Sequence, residues 1–288
     1  MKIAIIGGYG NMGQWFARFL SQEGEPVVIS GRDQAKLRDT ARQLGVESAS
    51  NDQAVTAADA VILSVPINSF EAVVKEIAPH THAGQYIFDI TSVKAKPVEI
   101  MHKYIKKGTV LGVHPMFGPG AKGMKGQRFV LTPVNDEEEK LADKTKKYLE
   151  DSGAKVAVME PAEHDDLMSI VLGLSHFIAL VSADTLLHLG KLEKAREISG
   201  TSYRLLLTLA EGVVSEDPEF YSSLQMNLPG LAGIEKLFLS KAGEWSSLVG
   251  KGDRKEFAKR MRELKTSFEK EDPGFAAAYN NMYRLIGE

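Results

Sequence analysis

The segment from Leu111 to Pro119, LGVHPMFGP, contains the side chain with the clearest capacity for chemistry, His114. The ordinary pKa of histidine is about 6.5, so an imidazole held in one orientation can accept or release a proton near neutral pH. His114 follows an apolar β-type run and precedes a loop rich in proline and glycine. Proline fixes φ, and glycine lets the backbone come close to a ligand. The pattern predicts a general base at a strand end, although a loop histidine without chemistry is the alternative.

The beginning of the chain predicts a dinucleotide-binding unit. An apolar strand over residues 1–6 leads into Gly8, Gly10 and Gly13, and an amphipathic helix and a second strand follow. In this G-x-G-x-x-G spacing, Gly8 allows the tight turn and Gly10 the close approach of a pyrophosphate, while Gly13 lets the helix pack on the strand. The N-terminus of that helix favours the anion. The strand before and the helix after make the three glycines informative.

The residues expected to bind the cofactor all lie at or just after the carboxyl end of a predicted strand, where ligands of doubly wound sheets bind. They are Gly8, Gly10, Asn11, Met12, Gly13, Ser30, Arg32, Ser64, Val65 and Pro66.

The end of the second strand predicts a preference for NADP over NAD. Enzymes that use NAD usually place a carboxylate there to accept from the ribose 2′-hydroxyl, but this strand ends in Ser30, Gly31 and Arg32. A hydroxyl and a guanidinium suit a 2′-phosphate. Two alternatives stay open for Asp33: it reaches back to the ribose while Arg32 is solvated, or it caps the following helix.

Hydrophobic periodicity predicts an α/β half followed by an all-α half. Strands and helices alternate up to about residue 160, which is typical of a Rossmann-type, doubly wound parallel sheet. After that point only helical patterns occur. We therefore expect a dinucleotide-binding domain over residues 1–160 and a helical substrate and dimerisation domain over residues 161–288. Residues 167–189 form a long helix that is apolar on most sides, so a homodimer is expected; a monomer whose other helices cover it is the alternative.

Composition limits the possible partners. The formal net charge is -3, so no basic surface predicts binding to nucleic acid or to an anionic membrane. The chain has no cysteine, which excludes disulfides and thiolate metal sites and fits the cytoplasm. We see no apolar run with the length of a membrane span, and expect no membrane partner.

The sequence resembles the prephenate dehydrogenase family, in a short, archaeal-like form. The segments that carry the resemblance are residues 7–13, 64–66, 89–94 and 114–119 in the first half, and His164-Asp165, Ser175 to Phe177, Tyr203-Arg204 and Gln225-Met226 in the second. The resemblance implies a dinucleotide domain followed by a helical dimerisation domain. It also implies oxidation of prephenate by NAD or NADP to 4-hydroxyphenylpyruvate, with loss of carbon dioxide, in tyrosine biosynthesis.

The same resemblance assigns roles to individual residues. It implies that His114 accepts the proton of the substrate hydroxyl and that Ser92 orients either the imidazole or that hydroxyl. A helix or turn cap is the alternative for Ser92. It further implies that His176 lines the substrate pocket, and the other candidates for binding the substrate are Arg204, Lys94 and His164. No metal site is expected, because His164 and His176 are 176 − 164 = 12 residues apart and so about 120° apart on one helix.

At one position the chain departs from the family pattern. The family carries a Gly-Arg pair about two turns after the segment Tyr203-Arg204, and that arginine binds a substrate carboxylate. Here the corresponding residues are Glu211 and Gly212. Prephenate has two carboxylates, and here one of them lacks a bidentate partner. The identity of the substrate is therefore not decided by the resemblance. The alternatives are an arogenate dehydrogenase, an NADP-dependent oxidoreductase of a different small acid, or a non-catalytic NADP-binding regulatory protein.

Overall fold

The computed structural model of the protein describes residues 1–287. These residues form two compact units, one made of Met1–Met168 with Met226–Leu228, and the other of Ser169–Gln225 with the segment from Pro229 onward. The domain boundary predicted after residue 160 stays a prediction.

The first unit is built on an eight-stranded sheet whose strand order is β3-β2-β1-β4-β5-β6-β7-β8. The strands are β1 (Ile3–Ile6), β2 (Val27–Ser30), β3 (Glu47–Ser48), β4 (Ala60–Leu63), β5 (Tyr86–Asp89), β6 (Thr109–Pro115), β7 (Arg128–Thr132) and β8 (Lys155–Val158). All neighbouring strands are parallel except β6 and β7, which pair antiparallel. The first six strands therefore have the order typical of doubly wound dinucleotide-binding domains, which confirms the predicted fold class.

The central strands β1 and β4 pack helices on both faces, which is why their sequences are apolar throughout. All four residues of β1 are buried, and its alternate side chains belong to two separate apolar clusters: Ile3 and Ile5 to one, Ala4 and Ile6 to the other. Successive side chains of a strand point to opposite faces, so the clusters are the two layers between sheet and helices. The helices up to residue 168 are α1 (Asn11–Gln22), α2 (Gln34–Leu44), α3 (Asn51–Ala57), α4 (Ile67–Ile77), α5 (Ala95–Tyr104), α6 (Asp136–Asp151) and α7 (Pro161–Met168).

From residue 169 onward, the regular secondary structure of the described chain is helical, as predicted. The elements are α8 (Ser175–His188), α9 (Leu192–Glu197), α10 (Thr201–Val214), α11 (Pro218–Asn227), α12 (Leu231–Lys251), α13 (Arg254–Glu271) and α14 (Ala278–Leu285), with a π-helical segment at Ser169–Leu174 and a 3₁₀ turn at Phe275–Ala277. In the second unit, α8 and α10 pack together, and α12 packs against α13.

One helical run is longer and more apolar than expected from the sequence. Pro161–His188 contains an 18-residue window with a mean hydropathy of 1.9, so by length and composition alone it is able to cross a membrane. The expectation that no apolar run has this length is therefore wrong. Only 11% of the window is buried within the described chain, so packing of α8 against α10 leaves much of its apolar surface accessible. An apolar surface of this size is typical of a face that a partner covers.

Candidate active site

The carboxyl ends of four parallel strands lie side by side at one edge of the sheet. The last residue of β1, Ile6, pairs with Leu63 of β4; Leu63 pairs with Asp89 of β5, and Asp89 pairs with Gly112 of β6. The loops that follow β1, β4 and β5 therefore begin next to one another, and His114 lies two residues beyond Gly112. This is the edge at which doubly wound sheets bind their ligands.

The glycine loop after β1 leaves no room for side chains. A Cβ added to Gly8 would lie 2.5 Å from the Cβ of Ile29, and one added to Gly13 would lie 2.6 Å from the carbonyl oxygen of Gly7. The φ of Gly7 is 82°, a conformation that favours glycine. The amides of Gly7 and Gly8 donate to the carbonyl oxygen of Ser30 at 2.9 and 3.0 Å, which holds the loop against β2.

The first turn of α1 offers free backbone donors to an anion. Its N-cap is Gly10, and no side chain caps the helix. The first N–H groups of a helix have no partner within it, so those of Asn11, Met12 and Gly13 are available to a phosphate. An uncapped helix N-terminus behind a glycine-rich loop fits the pyrophosphate of a dinucleotide.

The segment after β4 packs beside this loop. A Cβ on Gly7 would contact the carbonyl group of Ser64 and the Val65 side chain, and Pro66 is the N-cap residue of α4. Ser64, Val65 and Pro66 are therefore brought to the glycine loop, next to the dinucleotide cradle.

The structure corrects the role predicted for Ser30. Its side chain is fully buried, and its hydroxyl donates to Oδ1 of Asn51 at 2.7 Å. A buried and hydrogen-bonded hydroxyl is not free to bind a ribose or a phosphate. Ser30 supports the glycine loop through its carbonyl oxygen instead.

The two charged residues that follow β2, Arg32 and Asp33, differ in whether the protein uses their side chains. Asp33 is the N-cap of α2, where its Oδ1 accepts from the amides of Ala35 and Lys36 at 3.1 and 3.0 Å. Asp33 thus caps α2, one of the two predicted alternatives, and it does so through Oδ1. Arg32 is exposed at the end of β2.

His114 lies in β6 and is only 4% exposed. Its Nδ1 is 2.8 Å from Nε2 of His164. Among residues 1–287, the buried side-chain nitrogen and oxygen atoms without a partner are His176 Nδ1 and Tyr203 Oη. Nε2 of His114 also has no protein partner, but it is not one of these buried atoms. It is therefore accessible at the protein surface. One ring nitrogen is thus fixed and the other is open.

Burial makes His114 hard to protonate. Desolvation lowers the pKa of its imidazole well below 6.5, and the positive charge of Lys94 and the neighbouring His164 lower it further. At neutral pH the ring is therefore uncharged, which is the state a proton acceptor needs.

The structure also corrects the role predicted for His164. It is fully buried on α7, which packs against α5 and β7. Its Nδ1 lies 2.7 Å from Oδ1 of Asp165 and its Nε2 contacts His114. Both ring nitrogens are occupied inside the protein, so His164 does not bind substrate directly. It lies behind His114 in a chain of hydrogen bonds.

The structure also corrects the substrate-binding role predicted for Lys94, because its donors are occupied inside the protein. Its side chain is fully buried, and its ammonium forms an ion pair with Asp89 and donates to the carbonyl oxygens of Asp89 at 3.3 Å and Val113 at 2.9 Å. Burial lowers the pKa of Lys94, while Asp89 and Asp165 oppose that shift. With its three donors used on β5 and β6, the ammonium holds the two strand ends together and is not a ligand for a substrate carboxylate.

Ser92 is half-buried on the loop between β5 and α5. The Nδ1 of His114 is bonded to His164, so Ser92 does not orient the imidazole through that atom. Orientation of the substrate hydroxyl is the role that stays open for Ser92.

Aromatic packing fixes the loop after His114 onto the dinucleotide helix. The ring centroids of Trp15 and Phe117 are 4.8 Å apart, and those of Phe117 and Phe129 are 5.4 Å apart. The indole of Trp15 donates to the carbonyl oxygen of Ala121 at 2.7 Å. No local signal in the sequence marks the partner of Trp15, which lies 106 residues away.

In the second unit, α8 carries His176 and α10 carries Tyr203. The ring of His176 packs edge-on against Tyr221 at 4.7 Å, and burial lowers its pKa. Within the described chain, Nδ1 of His176 and Oη of Tyr203 are buried without a hydrogen-bond partner. Buried polar atoms are nearly always paired, so two such atoms mark places where a ligand can bind.

The arginine and the family departure are also in this unit. Arg204 donates to the carbonyl oxygen of Ile286 at 3.4 Å. Glu211 forms an ion pair with Arg196, and a Cβ added to Gly212 would meet nothing within 4 Å. An arginine side chain could therefore start from position 212 without a clash.

Within residues 1–287, no group of three or more His, Asp or Glu side chains is arranged to hold a metal ion. The residues that sequence reasoning missed are Asp165, Asp89 and Trp15, which support the site rather than form its surface.

Two family models match the chain in succession. A model described as the prephenate dehydrogenase nucleotide-binding domain matches residues 16–158, and one described as the prephenate dehydrogenase dimerization domain matches residues 160–263.

Individual relatives agree with these models. The chain is 36% identical over 272 residues to the probable arogenate/prephenate dehydrogenase of Methanocaldococcus jannaschii. The matched region covers 93% of this chain and 61% of that protein. It is 31% identical over 241 residues to the T-protein of Haemophilus influenzae, covering 82% of this chain and 59% of that protein. The chain thus spans about three fifths of the length of these relatives.

A solved structure has the same fold. The prephenate dehydrogenase from A. aeolicus, in complex with hydroxyphenyl propionate and NAD+, matches with a TM-score of 0.76 at 21% identity, covering 94% of this chain and 98% of that one. With the two models matched over residues 16–158 and 160–263 and this common fold, the chain belongs to the prephenate dehydrogenase family.

Proposed function

We propose that this protein catalyses the NAD(P)-dependent oxidative decarboxylation of prephenate to 4-hydroxyphenylpyruvate, a step of tyrosine biosynthesis. The observation that carries the proposal is His114, an uncharged buried imidazole with Nδ1 bonded to His164 and Nε2 open. It lies at the same sheet edge as the glycine loop. A proton acceptor beside a dinucleotide cradle is what oxidation of an alcohol requires.

The chain's own residues supply proton handling. When bound, NAD(P) provides the acceptor for the hydride that leaves the ring carbon bearing the hydroxyl. Nε2 of His114 takes the hydroxyl proton as the O–H bond breaks. The C–C bond to the ring carboxylate then breaks, carbon dioxide leaves, and the ring becomes aromatic. His114 returns its proton to the phenolic oxygen, so no net proton is released.

NADP is the cofactor we favour. The supporting observations are that Asp33 is used as a helix cap and that Arg32 is exposed at the end of β2. Because Oδ1 of Asp33 is used by the helix cap and Arg32 is the exposed charge after β2, a guanidinium there favours a 2′-phosphate. The A. aeolicus relative was solved with NAD+, so NAD is the alternative.

In the helical unit, we assign substrate binding to His176 and Arg204. In the first unit, we assign orientation of the substrate hydroxyl to Ser92. The unpaired Nδ1 of His176 and Oη of Tyr203 support a polar ligand in the helical unit. The enzyme is proposed to act as a homodimer through its helical part, because the matched domain is a dimerization domain and only 11% of the apolar window within Pro161–His188 is buried in a single chain. A cytoplasmic location stays a prediction.

A second substrate is favoured by one observation. Gly212 stands where the family pattern has an arginine, so one substrate carboxylate lacks that partner. Arogenate carries an amino group in addition to its carboxylates, and the relative from M. jannaschii is described as acting on arogenate or prephenate. Arogenate, or a different small acid, is therefore the alternative substrate.

The test is nicotinamide reduction followed by absorbance, with prephenate and with arogenate, each with NAD and with NADP. Turnover of prephenate supports the proposal, and turnover of arogenate alone transfers it to the second substrate. Cofactor binding without reduction in any of the four mixtures would overturn it and favour a different acid or a regulatory protein.

His114→Asn is expected to lower kcat by about 100-fold or more, because a general base typically contributes 10²- to 10⁴-fold. Binding of the cofactor, followed by nicotinamide fluorescence, should stay near normal. His80→Asn, at an exposed position of the same unit, is the matched control. Equal kcat values for the His114 variant and the wild type would remove His114 from the mechanism.

Arg32→Ala is expected to raise the KM for NADP by about tenfold or more while changing the KM for NAD little, because a hydrogen bond to a charged group contributes about 1.5–3 kcal/mol. The control is Arg38→Ala, because Arg38 is also an exposed arginine and lies farther along, on α2. Steady-state kinetics with both cofactors decide the question: the same change for NAD and NADP would mean that Arg32 does not bind the 2′-phosphate.

Gly212→Arg is expected to lower the KM for prephenate by about tenfold, because the new guanidinium can pair with a carboxylate and the space at position 212 is open. Gly233→Arg, in α12 with similarly open surroundings, controls for added charge and helix propensity. Kinetics on prephenate check this. An unchanged KM would mean that position 212 does not face the substrate.

A further inference from the structure

The hydrogen-bond chain behind His114 has a direction that its partners determine. Both carboxylate oxygens of Asp165 accept from backbone amides: Oδ1 from Lys94 at 2.6 Å and Oδ2 from Ala95 at 2.9 Å. A carboxylate in this state only accepts. The contact of 2.7 Å between its Oδ1 and His164 Nδ1 therefore requires the proton to be on Nδ1 of His164.

This requirement passes to the next ring. In a neutral imidazole, one nitrogen donates and the other accepts. With the proton on its Nδ1, His164 presents a lone pair at Nε2. The contact of 2.8 Å to His114 then requires the proton on Nδ1 of His114. The remaining nitrogen of His114, Nε2, is left as an acceptor.

From this geometry we propose that His164 and Asp165 are positioning residues that set the tautomer of His114 and so make Nε2 the proton acceptor. The inference rests on the proposed function for its catalytic meaning. The tautomer itself is a property of the free protein and does not depend on the substrate.

Asp165 is well placed to impose this order. It is 4% exposed, and the two amides that it accepts from belong to the N-cap residue and the first residue of α5. A negative charge at a helix N-terminus is stabilised by the helix dipole and by the unpaired amides. The α5 helix therefore fixes the orientation of the carboxylate, and the carboxylate fixes the ring of His164.

The opposite arrangement is disfavoured by the neighbouring charge. A doubly protonated His164 would donate from Nε2 and force the proton of His114 onto its own Nε2, which could then not accept. That state would pair a buried imidazolium with the Asp165 carboxylate, but it would also add a positive charge to a cluster that already contains the buried ammonium of Lys94. Burying a further charge is costly because it loses its hydration.

After His114 accepts the substrate proton, the same chain serves the charged ring. The Nδ1 proton of the imidazolium is still donated to Nε2 of His164, and His164 still donates to the Asp165 carboxylate. Hydrogen bonds to a charged group are stronger than those between neutral groups. This chain of hydrogen bonds therefore stabilises the transition state in which the proton moves. It leaves the binding of the ground state largely unchanged.

The test substitutes His164, because Asp165 also caps α5 and its loss would disturb the fold. His164→Gln keeps a side-chain amide at the position of Nε2, where its oxygen can accept from His114. His164→Asn keeps an amide near the position of Nδ1 and loses the contact with His114. We expect kcat to fall by about tenfold to a hundredfold in the Asn variant, a part of the usual contribution of a general base, with KM nearly unchanged, and to recover most of its value in the Gln variant.

The decisive readout is the tautomer, measured by ¹⁵N NMR on the full chain labelled at its seven histidines, with His114→Asn used to assign the His114 signals. In the free wild-type protein we expect Nδ1 of His114 to be protonated and Nε2 to be unprotonated. In His164→Asn the ring should show a mixture of tautomers, and in His164→Gln the wild-type state should return.

The outcomes separate this inference from the proposed function. The expected tautomer in a protein that oxidises neither prephenate nor arogenate would support the positioning role and overturn only the substrate assignment. A proton on Nε2 of His114 in the wild type would overturn the inference, whatever the activity. Equal losses of kcat in both His164 variants without a change of tautomer would also overturn it, because they would show that the residue only maintains packing.

Discussion

The burial of one imidazole on an interior strand is the constraint on which the rest of the site depends. His114 lies in β6 between β5 and β7, where desolvation keeps it neutral. A neutral ring without fixed neighbours can carry its proton on either nitrogen. The fold removes that freedom by placing α7 behind β6, so that His164 occupies Nδ1. The position of α7 is fixed in turn by the amides of α5, which hold Asp165.

The surrounding charges and rings serve the same strand ends. The buried ion pair of Lys94 with Asp89 joins the ends of β5 and β6, because the ammonium also donates to the carbonyl oxygen of Val113. Its positive charge adds to desolvation in keeping His114 uncharged. The contact of Phe117 with Trp15 attaches the loop after His114 to the helix that receives the dinucleotide. The proposed proton acceptor and the proposed cofactor cradle are thereby built on one rigid sheet edge.

Much of this could be predicted from the sequence, because local patterns carry it. The glycine spacing, seven of the eight strands and the change to helices have periodic or turn signals; the strand that was missed, β3, has only two residues. The roles of Lys94, His164 and Ser30 could not be predicted, because they depend on burial and on partners distant in sequence. His164 is 50 residues from His114, and nothing local in a His-Asp pair distinguishes a ligand for substrate from a support for another ring.

The central claim is that a buried, neutral His114 accepts the proton, and the pH dependence of kcat/KM tests it most directly, because that ratio reports the free enzyme. A base works only when unprotonated, and burial, the charge of Lys94 and the neighbouring His164 all lower the pKa of His114. The nearby carboxylates, Asp165 and Asp89, are bonded to His164 and to Lys94. The account predicts that activity on the acid side persists well below pH 6.5. A loss of half the activity at pH 6.5 or above, in a protein that remains folded, would contradict it.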